Sequence, residues 1–136
     1  MRYDTKIAIV VRDDLATWQK LNIASFLAGG LVGSSPELAG EPYQDASGRF
    51  YGPLIRQPVL IFGASPVELT NVLLRAQQRG VRPHLYTKDL FATGNDIDNR
   101  AAVAAVATGA LDLVGLGLHA ERKEIDKIAK GLKLHG

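Results

Sequence analysis

The sequence contains no cysteine. That excludes a disulfide framework, a thiol nucleophile and any zinc or iron–sulfur centre held by cysteine, and it suits a reducing, cytoplasmic location. Charge of one sign is scarce too: 16 Lys and Arg stand against 14 Asp and Glu, giving a formal net charge of +2 and a sequence pI near 9.0. So mild a balance gives weak attraction to anions and lacks the concentrated positive field of a dedicated nucleic-acid binder. No apolar run approaches the roughly 20 residues that span a bilayer. The amino-terminal run is too short, and too charged at Arg2, Asp4 and Lys6, for a secretory signal. The expectation is a soluble protein without membrane contact, its 136 residues forming a single domain over 1–136 that needs no metal or crosslink to bury a core.

Cofactor-binding motifs are equally missing. Gly115-Leu116-Gly117 lies inside a strand pattern instead of between a first strand and a helix, so it is no dinucleotide loop, and a Walker phosphate loop is absent. Gly63-Ala64-Ser65-Pro66 lacks the second glycine of a nucleophile elbow and reads as a capped helix start. His84, His119 and His135 share no ligand spacing, and His84 and His119 fall on strands. No metal and no cofactor are expected.

What is present is an opening strand of unusual clarity. Ile7-Ala8-Ile9-Val10-Val11 are five consecutive apolar residues, four of them β-branched, as in a strand covered on both faces. Arg12, Asp13, Asp14 and Leu15 then carry polar groups to its carboxyl end, where open α/β sheets bind ligands. Asp14 or Thr17 can cap the following helix, whose body over 18–31 is apolar nearly all round and is therefore expected to be buried between layers. Gly29, Gly30 and Gly33 are expected to loosen or end it, with a new helix start at Ser34-Ser35-Pro36-Glu37. Residues 40–57 form a long connection rich in glycine, proline and aromatics, either functional or a surface hairpin.

A second buried strand spans 58–62. Ser65-Pro66-Val67-Glu68 is a capping box with proline in the first turn, and it opens a helix over 66–79 that Gly80 ends. A third strand follows over 81–87, a turn or short helix at Lys88-Asp89-Leu90-Phe91, an alanine-rich helix over 97–107, and a fourth strand over 111–118. The final helix covers 121–130, with Glu124 and Lys127 spaced to pair. Such alternation argues for an α/β sheet with helices on both faces.

Several short patterns, in order, resemble the type-2 peptidyl-tRNA hydrolases: Val10-Val11-Arg12, Asp14-Leu15, Lys20 at a helix start, Asp89 with Thr93, the acidic Glu124-Ile125-Asp126-Lys127, and Leu132-Lys133-Leu134. The glutamine and histidine that family carries later on its first helix fall at Ala24 and Leu27. The chain is similar more closely to an uncharacterised bacterial group, the domain-of-unknown-function family numbered two thousand, through Arg12-Asp13-Asp14-Leu15, Lys20-Leu21-Asn22, Leu38-Ala39-Gly40-Glu41-Pro42 and Asp45-Ala46-Ser47-Gly48. These resemblances imply a three-layer α/β/α sandwich of the type-2 peptidyl-tRNA hydrolase kind, with a mixed, mostly parallel sheet of about four strands.

Among candidate site residues Lys20 stands first. A lysine on an apolar helix near a strand end must send its ammonium to a cavity or to water, where it either binds phosphate or carboxylate and stabilises an oxyanion, or simply snorkels. Asp13 and Asp14 either orient Lys20 and act as a base or cap the helix. Asp89 and Thr93 either supply an acid–base group and a hydroxyl or close a turn. Arg12 would assist with an anion, and Asn22 lies roughly 200° round the helix from Lys20. Asp45 and Ser47 either close over a ligand or form an Asx turn.

Two functions follow. One is binding of an anionic small molecule or an RNA end by Lys20, Arg12 and the 40–57 loop. The other is hydrolysis of an acyl or peptidyl ester, with Lys20 stabilising charge, Asp14 or Asp89 positioning water and Thr93 holding substrate. A homodimer packed through the alanine-rich stretch 101–107 is the expected assembly.

Overall fold

The computed structural model of the chain describes residues 2–136. Its main sheet has five strands in the order β5-β6-β1-β4-β7, formed by β1 (Thr5–Arg12), β4 (Val59–Ala64), β5 (His84–Thr87), β6 (Leu113–Glu121) and β7 (Lys133–Leu134). A separate hairpin joins β2 (Tyr43–Gln44) to β3 (Phe50–Tyr51). The helices are α1 (Thr17–Ser34), α2 (Pro66–Gln78), α3 (Asp96–Ala104) and α4 (Arg122–Ile128). Among the described residues, no helix is long and apolar enough to cross a membrane.

Alternation along the central strand divides the core. Ile7, Ile9 and Val11 point to one face and meet Ile23, Leu27 and Leu31 of α1. Ala8 and Val10 point to the other, where Leu69, Val72 and Ala76 of α2 and Ile125 and Ile128 of α4 cover them. Successive strand side chains must face opposite ways, so a run apolar at every position requires helices on both sides, and three layers result. Each aliphatic side chain fully buried in this way contributes roughly 1.5–3 kcal/mol relative to exposure.

The expected mostly parallel, four-stranded sheet is corrected on two counts. Only β1 and β4 run parallel, while β1–β6, β5–β6 and β4–β7 are antiparallel. The reason is α3, which buries none of its side chains: it stays at the sheet edge instead of crossing a face, so β6 begins at the end where β5 stops. The fifth strand, β7, has two residues and is too short to show a pattern.

Helix α1 also departs from expectation. It runs through Gly29, Gly30 and Gly33 to Ser34, because on the outer layer it is held by contact with β6 and β5. Its outward Trp18, Leu21 and Phe26 are 61%, 65% and 56% exposed, so it is not buried all round. Neither Asp14 nor Thr17 caps it. Ala16 holds the cap position, and its amide donates to Gln19 Oε1 at 3.1 Å.

The Ser65 capping box is present in full: Glu68 N donates to Ser65 Oγ at 3.2 Å and Ser65 N to Glu68 Oε1 at 3.0 Å. Gly80, with φ of +70°, follows α2 in the left-handed region that ends helices. Glu124 does not pair with Lys127. It takes Arg79 Nε at 2.5 Å and ties α4 to the end of α2.

Candidate functional site

The two parallel strands define the place where a ligand can sit. After β1 the chain turns to α1 on one face, and after the adjacent β4 it turns to α2 on the other. The loops therefore part at the carboxyl edge and leave a crevice, the topological switch point at which open α/β sheets bind ligands. Asp13 N donates to Ala64 O at 2.9 Å and holds the two loops together at its base.

A hollow of about 470 Å³ opens there, with Asp13 and Lys20 on one wall, Gly63 and Glu68 on the other, and Lys133 and His135 across the front. Lys20 Nζ lies 3.1 Å from His135 Nε2. An ammonium can only donate, so Nε2 accepts, and the ring proton is assigned to Nδ1, 2.8 Å from the Gly136 oxygen. Backbone pairing delivers the histidine: β7 pairs with Phe62 and Gly63, and His135 N donates to Ile61 O at 2.9 Å. Gly63 keeps the floor low, since a Cβ there would touch His135 Cδ2 at 3.4 Å and Asp13 Cβ at 3.6 Å.

Among the described residues Lys20 forms no ion pair within 4 Å, and neither does Lys133. Of the carboxylates near Lys20, Asp14 is held by Arg12 and Glu68 is committed to the α2 cap. The crevice thus offers two cationic donors with no carboxylate bound to them.

The other candidate residues are placed elsewhere. Arg12 and Asp14 hold each other, with Nε–Oδ1 at 2.6 Å and Nη2–Oδ2 at 3.1 Å, and Asp112 stands 3.6 Å from Nη1. That mutual bond pulls the Asp14 carboxyl below its ordinary range and raises the arginine. Asn22 faces the opposite flank of α1 and lines a hollow with Tyr86 and Thr93. The single proton of the Thr93 hydroxyl has two acceptors in reach, Asn99 Oδ1 and, at 3.0 Å, Leu90 O. Asp89 is exposed in a 3-10 turn, Lys88–Ala92, on this same flank.

Asp45 and Ser47 lie in the exposed β2–β3 hairpin, where Asp45 Oδ1 accepts from Ser47 N at 2.9 Å and Arg49 N at 3.0 Å, and Oδ2 accepts from Tyr51 OH at 2.7 Å. These bonds hold its carboxyl below the usual range, the tyrosine hydroxyl contributing most. The hairpin follows the far end of α1, so it stands at the opposite edge of the sheet from Lys20. Of the nine candidates, Lys20 and Asp13 line the crevice; Asn22 and Thr93 share the opposite flank.

His135, Lys133, Gly63 and Glu68 also line the crevice, and none of them was among the candidate site residues. No sequence pattern marked the two-residue strand that brings His135 in. Among the described residues, no group of three or more His, Asp or Glu side chains is placed to hold a metal ion.

A family model described as "Protein of unknown function (DUF2000)" matches residues 5–136. A solved structure of a protein of unknown function from Agrobacterium tumefaciens strain C58 is 42% identical, with a TM-score of 0.96, and the match covers 99% of this chain and 100% of that one. No curated protein matches the chain.

Proposed function

Since the chain belongs to the family of unknown function DUF2000, we propose its role from the crevice itself: the protein binds a small anion, a phosphate or carboxylate group, through Lys20 at the switch point between β1 and β4. The carrying observation is that the Lys20 ammonium stands in this crevice with an imidazole, not a carboxylate, as its hydrogen-bond partner. An arriving anion gains a charge-assisted bond without having to displace a salt bridge. Lys133 adds a second cation at the mouth, and Asp13 disfavours ligands that carry charge on every side.

The likeness to type-2 peptidyl-tRNA hydrolases extends the reading to the phosphate of an RNA end, which presents the same chemistry. Ester hydrolysis is less well supported. It calls for Asp14 or Asp89 and Thr93 beside Lys20, whereas Asp14 is engaged by Arg12 and the other two lie across α1.

Titration of the isotopically labelled protein with inorganic pyrophosphate, followed by amide NMR, tests the reading. Shifts are expected at Asp13, Lys20, Gly63 and 133–136, saturable and absent from Lys20→Ala. Saturable shifts that persist in that variant, or none in the wild type, would overturn it. A short RNA bearing a 5′ phosphate separates the two sources of anion, because counterion release makes RNA binding fall steeply with salt.

A further inference from the structure

A second opening lies across α1, along the outer edge of β5. A cleft of about 570 Å³ runs between α1 and α3 and continues into a hollow of about 320 Å³ beside the Lys88–Ala92 turn. The two share Phe26, Tyr86, Leu90, Asp96 and Asn99, and neither shares a residue with the Lys20 crevice. The space exists because its walls do not meet: α3 buries no side chain, and Gly30 brings none to the α1 side.

One wall is a continuous run of rings. Trp18 meets Phe91 edge-on at 5.7 Å between centroids, Phe91 meets Tyr86 at 5.2 Å, and Tyr86 meets Phe26 at 5.7 Å. The facing side carries Val103 and Asn99 of α3. With the Asn99 amide assigned so that its oxygen accepts the Thr93 proton, its nitrogen has no partner among the described residues. The charges at the rim, Asp96 and Arg100, pair with each other. The interior therefore combines aromatic surface with a free amide donor and no unpaired charge.

We propose that this cleft binds an uncharged, planar heteroaromatic molecule of nucleobase or nucleoside size, its ring against the aromatic wall and one ring acceptor on Asn99 Nδ2. The volume falls within the span of small-molecule sites, roughly 300–1,000 Å³, where apolar walls supply affinity and a few polar groups fix orientation. Offset and edge-on ring packing selects a flat ligand over a globular one. An amide nitrogen selects an acceptor.

Trp18 is the single tryptophan and stands in the wall, so its emission reports occupancy directly. The experiment titrates the full-length protein with adenine, using cyclohexanol as a non-planar control, and repeats the adenine titration in Asn99→Leu and Val103→Phe, each checked for a native thermal melt. Saturable quenching by adenine alone is expected, weakened about tenfold in Asn99→Leu, as for loss of one buried hydrogen bond, and abolished where phenylalanine fills the cleft. No saturable quenching, an equal response to cyclohexanol, or undiminished quenching in both folded variants would overturn the proposal. So would Trp18 emission that changes with protein concentration alone, which would mean that a second copy covers the wall.

Discussion

Ile23 fills the space that a side chain at Gly115 would need: a Cβ there would lie 2.3 Å from Ile23 Cγ2 and 3.1 Å from Leu27 Cδ1. Two strand positions further on, a Cβ at Gly117 would stand 3.3 Å from Leu27 Cβ. The Gly115-Leu116-Gly117 segment is thus a shallow bed in β6 that lets α1 lie close to the sheet. Gly115→Ala is expected to lose about 1–3 kcal/mol of stability through overpacking, read as a lower denaturant midpoint at unchanged slope. The loss should shrink when Ile23→Ala is added to the same chain.

Lys20→Ala should remove the response to pyrophosphate while moving stability by no more than about 0.5 kcal/mol, as for a partly exposed side chain without an ion pair. Calorimetric melting beside the NMR titration measures both. A loss several times larger would show that Lys20 supports the packing of β7 and not a ligand.

Ser65→Ala removes the oxygen that accepts from Glu68 N and should cost about 1 kcal/mol. Glu68→Gln keeps a side-chain acceptor for Ser65 N and should cost less. Chemical denaturation of the two variants in parallel decides the order.

His84 gives stability a pH dependence of definite sign. Burial holds its imidazole below the ordinary 6.5; the Gly30 backbone carbonyl opposes this, and the charge of Arg82 acts with burial. The unfolded chain takes up the proton more readily than the folded one. Stability is therefore complete above 6.5 and declines as pH falls through the lower folded value. Melting temperatures measured from neutral pH downward should show this decline, and His84→Gln should flatten its upper part.

Segments whose local pattern dominates were legible in the sequence. Ile7 to Val11 must be covered on both faces, and the Ser65–Glu68 box closes within four residues, so tertiary context changes neither. Strand direction was not legible, because nothing local to 97–107 says whether a helix crosses a face or stays at an edge. Lys20 could be found as a charge on an apolar helix. Its partner could not, since His135 reaches it through two residues of β7 pairing with β4, a contact 115 positions away in sequence. Arg12 and Asp14 were legible as charges at a strand end, but their pairing with each other was not.

The position of β1 in the sheet bears on how the chain is made. It precedes the other described strands in the chain, yet its neighbours are β4 and β6, and Glu121 of β6 pairs with Thr5. Until most of the polypeptide has emerged, Ile7 to Val11 have no second edge to lean on, and closing the sheet means drawing together segments more than a hundred residues apart. Contacts so distant form slowly and leave apolar strands exposed meanwhile. A nascent chain paused before residue 113 would keep the β6-facing edge of β1 unpaired.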